Sequence, residues 1–351
     1  MSTERTGCNH MGFGKYAMSL RRDSEVWRER ALLVALCVVC FAYSIAAVTV
    51  KAQTYPAKLV RLVVPTAPGG GVDILSRLVG QKLSETLGQQ FVIDNRPGAG
   101  ANIGTALVAK SPADGYTLLM VPSSISISAS LYMKLPYDAV KDLAPIALVA
   151  STPYFVVLHP SVPAASVREL VNLAKSKPGE LTYASGGSGT ASHLAGEMLK
   201  KMAGIDLVHV PYKGVGPAVT DVLAGHVSLI FAGLPASGSH IKAGKLKAIA
   251  VADAKRSSLM PQLPTIAEAG YPGYAVENWL GMLAPAGTPA DIISRLNGDI
   301  VRMLDTAEVR ERLAVQGFEP VGSTPGQFAA QLKSEIAKWA KVIQETGVRA
   351  D

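Results

Sequence analysis

The sequence predicts an α/β protein built from two lobes. From Leu59 onward, short runs of β-branched residues alternate with segments whose apolar residues recur at helical spacing. This rhythm of strand, helix and strand is typical of parallel sheets covered by helices on both faces. Extended stretches near 150–158 and 274–284 interrupt it. We therefore expect two sheet-containing lobes joined by two crossing segments.

The first 52 residues have the pattern of a secretory signal. Two arginines precede an apolar run of about 20 residues, and small residues suit cleavage after Ala52. The length of the run would also suit a transmembrane anchor. The region before it is unusually long, so Met11 or Met18 could be the true start. We interpret 1–52 as a cleaved signal peptide.

The positions of the cysteines and the net charge limit the kinds of site and partner expected for the exported part. All three cysteines, Cys8, Cys37 and Cys40, lie in the leader, so the remainder has no disulfide and no cysteine metal site. Removing the leader's seven basic and four acidic residues lowers the formal net charge from +7 to +4. That surplus is spread along the chain without a basic run, so nucleic acid is not an expected partner. An anionic small molecule is compatible with it.

The first α/β block runs to about Pro153. After the initial strand, the segment that begins at Asp73 has apolar residues at positions 74, 75, 78, 79, 83 and 87, as an amphipathic helix requires. The predicted elements are, in order, the strand LVRLVVP, the helix DILSRLVGQKLSETLG, the strand QFVIDN, the helix NIGTALVAKS, the strand YTLLMVPS and the long extended stretch IALVASTPYFVVLHP.

A second block follows, opened by a capping box of Ser166 and Glu169. Its predicted strands are LTYAS, LVHVPY, VSLIFAG and LKAIAVA, and its later helices are TASHLAGEMLKKMAG, PAVTDVLAGH and SGSHIKAGK. A passage rich in proline and glycine ends the block. Two helices, from about Pro289 and after Thr324, then close the chain. We expect this tail to return to the first lobe, which gives 53–153 with 277–351 as lobe 1 and 154–276 as lobe 2.

The turn APGGGVD, Ala67–Asp73, joins the first strand to the first helix. Glycine lets the backbone approach a ligand closely, and a helix N-terminus offers unpaired N–H groups and the positive end of the helix dipole. An anion would fit there. The alternative is an ordinary tight turn in which Asp73 caps the helix. The turn is not a P-loop, because no Gly-Lys-Ser/Thr follows it.

Two further glycine turns lie between a strand and a helix. NRPGAGANIG has a spacing one residue longer than the dinucleotide fingerprint, and the next strand ends in serines where that fingerprint needs an acidic residue. We therefore expect neither a nicotinamide nor a flavin cofactor. YASGGSGTASHL brings small hydroxyls and free N–H groups to one helix start, which suits a carboxylate.

Signals for catalysis are weak. GGSGT lacks the closing glycine of a hydrolase elbow, and the histidines have no metal-ligand spacing. His193 is better explained as a packed or capping residue than as a base. Paired catalytic carboxylates are not evident either. We expect no catalytic residue, no metal and no cofactor, and capture of an anion in preference to turnover.

Eight motifs occur in an order that resembles one family. They are PGGGVD, NRPGAGANIG, ADGYTLL, LYMKLPYD, YASGGSGTASHL, HVPYKG, LPTIAEAGYPGY and APAGTP. From Tyr55 to the C-terminus, the chain resembles the substrate-binding proteins of tripartite tricarboxylate transporters, the Bug-type receptors. The resemblance implies a two-lobed periplasmic-binding-protein fold of type II-like topology, with two crossing strands and a ligand cleft between the lobes. It also implies a periplasmic monomer that binds a small organic carboxylate and delivers it to integral-membrane transporter subunits.

The resemblance further implies a set of ligand-binding residues. They are Gly69, Gly70, Gly71, Val72, Ser123 and Ser124 in the first lobe, and Ser185, Gly187, Gly189, Thr190 and Tyr212 in the second. Two positions depart from the family. Thr66 stands where an aromatic residue is common, and Ala232 stands where an aspartate often follows phenylalanine. Loss of that aspartate either removes a partner for an ammonium group or a hydroxyl, which favours a carboxylate without an amine, or position 232 only adjusts loop packing.

Three alternatives stay open. The receptor could signal to a membrane kinase through its liganded surface, or lack a cognate transporter. An exported hydrolase or isomerase would use Ser188 and His193. Backbone donors recognise a carboxylate and not its carbon skeleton, so citrate, other dicarboxylates, aromatic acids and nicotinate-like molecules are all candidate ligands.

Overall fold

The computed structural model describes residues 27, 28, 30–38, 55–132 and 134–346. Met1–Thr54 and Tyr55–Asp351 form two separate compact units. In the first unit, residues 30–38 are helical. The predicted cleavage point after Ala52, both alternative starts, Cys8 and Cys40 lie outside the described residues. None of the described helices is both long enough and apolar enough to cross a membrane.

The strands of the second unit form two sheets. Their bounds are β1 Val60–Val64, β2 Phe91–Asn95, β3 Thr117–Pro122, β4 Leu143–Ser151, β5 Tyr154–Leu158, β6 Thr182–Ser185, β7 Val208–Pro211, β8 Leu229–Gly233, β9 Lys247–Val251, β10 Trp279–Pro285 and β11 Glu319–Pro320. The first sheet has the order β11-β4-β10-β3-β1-β2, and the second has the order β7-β6-β8-β5-β9. Within each sheet the early strands are parallel: β1 pairs with β2 and β3, and β6 pairs with β7 and β8.

The chain crosses between the sheets twice. β4 of the first sheet and β5 of the second are separated only by Thr152 and Pro153, and residues 252–278 lead back from β9 to β10. β5 and β10 both run antiparallel to their neighbours, because each enters its sheet from the other lobe. The predicted two-lobed α/β class with two crossings is confirmed, whereas the predicted lobe boundaries stay a prediction.

Helices cover both faces of both sheets. Their bounds are α1 Gly71–Leu87, α2 Asn102–Ala109, α3 Ser124–Leu131, α4 Val167–Ser176, α5 Ala191–Ala203, α6 Val215–Leu223, α7 Leu234–Lys242, α8 Ala290–Leu304, α9 Ala307–Val315 and α10 Pro325–Thr346. Apolar residues of α1, α8 and α9 bury one face of the first sheet, and α2 and the start of α10 bury the other. In the second sheet, α4 and α5 cover one face and α6 and α7 the other.

Two regions contain helices that the sequence interpretation did not include. The sequence SISISASL alternates serine with apolar residues, a strand-like pattern, yet it forms α3. The tail contains three described helices instead of two, because Thr306 begins α9 by accepting a hydrogen bond from the Val309 amide. The strand β11 then pairs with β4. The last helix reaches both lobes: Phe328 packs under the first sheet and Trp339 under the second.

Candidate ligand-binding site

The N-termini of six helices meet where the lobes face each other. Because the carboxyl ends of parallel strands lie at one edge of a sheet, α1, α2 and α3 begin at one edge of the first sheet, and α5, α6 and α7 begin at the facing edge of the second. Residues from these six starts line two adjoining cavities. Thr66 and Pro122 line both cavities, so both belong to one cleft.

The glycine turn of the first lobe presents backbone amides to the first cavity. Gly70, Gly71 and Val72 line that cavity, and no hydrogen bond between described residues uses their amide N–H groups. Gly71 and Val72 form the first turn of α1, where N–H groups have no partner within the helix. The positive end of the helix dipole adds to this arrangement. The turn is therefore able to bind an anion.

Asp73 holds this turn in place from below. Its side chain is 4% exposed and accepts hydrogen bonds from the Gly69 amide at 3.0 Å and from Asn95 Nδ2 at 3.1 Å. It also forms an ion pair with Arg77 at 2.9 Å. Burial alone would raise the pKa of Asp73, but the hydrogen bonds from Arg77, Gly69 and Asn95 outweigh burial and lower it. Gly69 itself has a φ of +84°, in the left-handed region that glycine adopts without steric cost.

Asp73 is therefore not the N-cap residue of α1. That position belongs to Gly70, which has no side chain to cap with. The carboxylate instead binds the amide one residue further out. The Gly69 N–H is thus bound within the protein, whereas the amides of Gly70, Gly71 and Val72 have no partner among the described residues.

The glycine loop of the second lobe has the opposite arrangement. The amide of Gly186 donates to Ser192 Oγ at 2.9 Å, and that of Gly187 donates to Ser185 Oγ at 3.0 Å. The amide of Gly189 donates to His193 Nδ1 at 3.2 Å. Three of the loop's glycine amides are thus bound within the protein. The loop lines the second cavity with residues that include Thr190, but its glycine amides are not available to a ligand.

His193 lies under this loop and is 4% exposed. Its ring stacks on that of His209 with 4.2 Å between the ring centroids, and His209 Nε2 lies 2.6 Å from Ser185 Oγ. The acceptor role of Nδ1 toward the Gly189 amide requires that this nitrogen carries no proton. His193 therefore supports the loop in this geometry, as the packed or capping interpretation predicts.

The two lobes contact each other directly beside both cavities. The Ala67 amide donates to the Lys213 carbonyl at 2.9 Å, and Tyr132 Oη donates to the Ser188 carbonyl at 3.0 Å. At the start of α6, Gly216 lies against the first-lobe turn. A Cβ atom there would be 2.5 Å from the Pro68 carbonyl oxygen, so only glycine permits this approach. The lobes are closed on each other.

The predicted site residues have different surroundings. Ser124, Gly187, Thr190 and Tyr212 line the second cavity. Gly69 and Gly189 belong to the turns without lining a cavity. Two of the predicted residues, Ser123 and Ser185, are buried and bind other protein groups. Ser123 Oγ contacts Asn278 Oδ1 at 3.3 Å, and Ser185 Oγ accepts a hydrogen bond from the Gly187 amide.

Tyr212 and Ala232 occupy particular environments. The Tyr212 hydroxyl donates to Asp221. The pKa of Tyr212 is raised to about 12, mainly by desolvation and further by the hydrogen bond to Asp221 and the charge of that residue. Ala232 is fully buried in the apolar cluster that includes Phe155 and Ile230, and it lines neither cavity. This surrounding favours the packing interpretation of position 232.

Several cleft residues were missed by the sequence interpretation. Thr152 and Asn278 line the first cavity from the two crossings, and Lys213 lines the second. Among the described residues that line the first cavity, none is charged. The hydroxyl oxygens of Thr66, Ser124 and Thr152 are buried without a hydrogen-bond partner in the part of the chain described. The cleft therefore offers hydroxyls and amides but almost no formal charge.

Comparison with known proteins places this geometry in a family. Residues 75–348 match the family described as "Tripartite tricarboxylate transporter family receptor". The chain is 39% identical over 319 residues to Protein BugT of Bordetella pertussis, covering 90% of this chain and 98% of that one.

Two solved structures are also similar. The chain matches Rpa4515 of R. palustris, whose structure is described as with adipate, at 39% identity and a TM-score of 0.82, covering 84% of this chain and 99% of that one. It matches the periplasmic binding protein BugD at 35% identity and a TM-score of 0.81, with the same coverage.

Proposed function

The chain belongs to the tripartite tricarboxylate transporter receptor family, and on that premise we propose that it captures a small organic carboxylate in the periplasm. The acid is held between the two lobes, and the liganded protein delivers it to integral-membrane transporter subunits. The observation that carries this proposal is the row of unpaired amides at the start of α1, which faces a cavity lined by both lobes.

An uncharged cleft of this kind suits a carboxylate. Backbone N–H groups at a helix N-terminus form charge-assisted hydrogen bonds to carboxylate oxygens, and removing water from the cleft strengthens them. Each hydrogen bond to a charged group contributes about 1.5–3 kcal/mol. Micromolar binding needs about 8 kcal/mol net, so a few such bonds with lobe closure are sufficient. The adipate bound by Rpa4515, a protein 39% identical to this one, is an acid of the expected class.

The surroundings of Ser188 and His193 support capture over turnover. A serine nucleophile needs an adjacent base that accepts its proton. In this protein His193 Nδ1 accepts a hydrogen bond from Gly189, and the His193 ring lies under the loop, stacked on His209. For His193 Nδ1 to act as the base of an exported hydrolase or isomerase, it would have to give up that hydrogen bond.

Closure explains how a partner would recognise the loaded receptor. A ligand that contacts both lobes favours the closed state by its differential affinity for that state. The Ala67–Lys213 hydrogen bond and the Gly216 contact belong to that state. Membrane subunits that recognise the closed surface would therefore distinguish loaded from empty receptor. We expect the exported protein, from Gln53 onward, to act as a monomer.

Native mass spectrometry of the chain from Gln53 onward tests the proposal. The protein is measured as purified, and again after denaturation and refolding with adipate, citrate, benzoate or nicotinate. One acid bound per protein, with its mass unchanged after long incubation, is the expected result. Conversion of the acid would favour the enzyme alternative, and failure to bind any carboxylate would contradict the proposal. A Ser188→Ala variant tests the enzyme alternative, because turnover that uses Ser188 should disappear in that variant while the fold is retained.

A further inference from the structure

Thr152 lies on the first crossing between the lobes, directly after β4. Its side chain lines the first cavity, and the residue is only 2% exposed. Its hydroxyl oxygen nevertheless has no hydrogen-bond partner among the described residues. A buried hydroxyl without a partner is unfavourable, and such groups in native proteins call for an explanation such as a ligand.

The position of Thr152 is fixed by the second crossing. Its amide donates to the Asn278 carbonyl at 3.0 Å, and its carbonyl accepts from Asn278 Nδ2 at 3.4 Å. Asn278 Oδ1 in turn contacts Ser123 Oγ at the start of α3. The two crossings and one cleft helix therefore hold Thr152 in place, so its hydroxyl is available without any backbone rearrangement.

The space around the Thr152 hydroxyl is kept free by a neighbouring glycine, Gly233. A Cβ atom on Gly233, the residue before α7, would lie 2.7 Å from Thr152 Oγ1. Glycine at that position thus keeps space around the hydroxyl beside the N-terminus of α7. Gly71 lines the same cavity, so a small group bound there is within reach of both the α1 amides and Thr152.

We propose that Thr152 is a ligand-binding residue of the cleft, and that its hydroxyl donates a hydrogen bond to an oxygen of the bound carboxylate. The inference rests on the function proposed above. Among the described residues lining the first cavity, Thr152 and Thr66 carry the side-chain hydroxyls that are both fully buried and without a hydrogen-bond partner. A carboxylate oxygen is an acceptor, and it satisfies the hydroxyl that the protein leaves unpaired.

Removal of the hydroxyl separates this role from a structural one. Thr152→Val keeps the side-chain shape and removes the donor, whereas Thr152→Ser keeps the donor. Thr288→Val is the matched control, because Thr288 is also buried but its hydroxyl donates to the Pro285 carbonyl at 2.7 Å. Thr288 follows the end of β10 that is remote from the cleft.

The experiment measures the dissociation constant for adipate, citrate, benzoate and nicotinate by titration calorimetry, and the unfolding temperature without ligand. For each acid that the wild type binds, Thr152→Val should weaken affinity about tenfold or more. Thr152→Ser should stay within about threefold of the wild type. Without ligand, Thr152→Val should unfold at the same temperature as the wild type or higher, because an unpaired polar group has been removed. Thr288→Val should unfold at a lower temperature and bind unchanged.

Two results would overturn the inference while the proposed function stands. Equal affinity of Thr152→Val and wild type would mean that the hydroxyl binds only water. If the unfolding temperature of Thr152→Val falls as far below that of the wild type as the unfolding temperature of Thr288→Val does, the hydroxyl has a partner within the protein. If the wild type binds none of the acids, the proposed function falls and this inference falls with it.

Discussion

The first-lobe turn at 66–73 and the second-lobe loop at 185–193 look alike in sequence and differ in structure. Both are rich in glycine, follow a strand and begin a helix. In the first, the amides of Gly70, Gly71 and Val72 are unpaired and a carboxylate supports the turn from below. In the second, serine and histidine side chains bind the glycine amides.

This difference shows what glycine contributes in each place. In the first turn, glycine exposes the backbone to a ligand and to the other lobe. In the second loop, positive φ values at Gly187 and Gly189 allow a compact loop whose glycine amides are bound by side chains of the same loop and helix. We infer that the first lobe supplies most of the hydrogen bonds to the anion and that the second lobe closes over it.

The largest effect is expected from Gly216→Ala. The added Cβ would lie 2.5 Å from the Pro68 carbonyl oxygen and so oppose closure, while alanine favours the α6 helix. Overpacking of this kind costs about 1–3 kcal/mol, which predicts ligand affinity about 10- to 100-fold weaker with a stable fold. Titration calorimetry and solution scattering with ligand measure affinity and closure.

Gly298→Ala provides the control for that change, because a Cβ there approaches only the end of the Arg302 side chain. Its affinity should match the wild type. If Gly216→Ala closes and binds as the wild type does, the contact between Gly216 and the first-lobe turn is not part of the ligand-bound state.

A smaller effect is expected from Asp73→Asn, which tests the support of the first turn. The pKa of Asp73 is lowered in the folded protein, so its contribution to stability is complete above the unfolded pKa and is lost as pH falls through the lower folded value. At pH 7 the variant should be less stable by about 1–3 kcal/mol, and it should bind the acid more weakly. Below about pH 4 the stability difference should shrink.

Urea unfolding from neutral to acidic pH measures this dependence. The exposed residue Glu311 on α9 is the control, and Glu311→Gln should be as stable as the wild type at pH 7. A stability difference for Asp73→Asn that grows as the pH falls would contradict the role assigned to Asp73.

The smallest effect on binding is expected from Ser192→Ala in the second loop. The change leaves the buried Gly186 amide without its acceptor, so we expect a loss of about 1–3 kcal/mol of stability. Affinity should change less than threefold, because that amide does not face the acid. Ser176→Ala, on the exposed end of α4, is the control for stability. A large loss of affinity at unchanged stability would mean that the second loop binds the ligand directly.

Much of this architecture was predictable from local sequence. The alternation of strands and helices, the two crossings and the glycine turns all leave patterns of apolar spacing and turn residues. The helix α3 was not predictable in this way, because SISISASL has the alternation typical of a strand. Its helical form depends on packing against α10. The short strand β11 has only two residues and is defined by its partner β4.

The cleft itself was only partly predictable. The topology brings strand ends together, so the turns at Gly70 and Thr190 could be assigned to it. Thr152 and Asn278 are 126 residues apart and meet only because both crossings pass through the same place. The sequence also cannot show that Ser192 and His193 bind their own loop, since this depends on side-chain directions that only the fold determines.

The central claim is that the amides at the start of α1 bind the acid, and a pair of variants at Gly71 tests it most directly. Gly71 is the first residue of α1, where proline is well accepted, and Gly70 before it has the extended ψ of 167° that proline requires. A Cβ at Gly71 meets only ordinary contacts, at 3.6 Å or more. Gly71→Ala keeps the amide N–H and Gly71→Pro removes it.

Titration calorimetry with the acid identified by native mass spectrometry gives the comparison, with unfolding temperature measured in parallel. We predict that Gly71→Ala binds within about threefold of the wild type and that Gly71→Pro binds about tenfold or more weakly at similar stability. Equal affinity of the two variants would contradict the claim that the first-lobe amides hold the ligand.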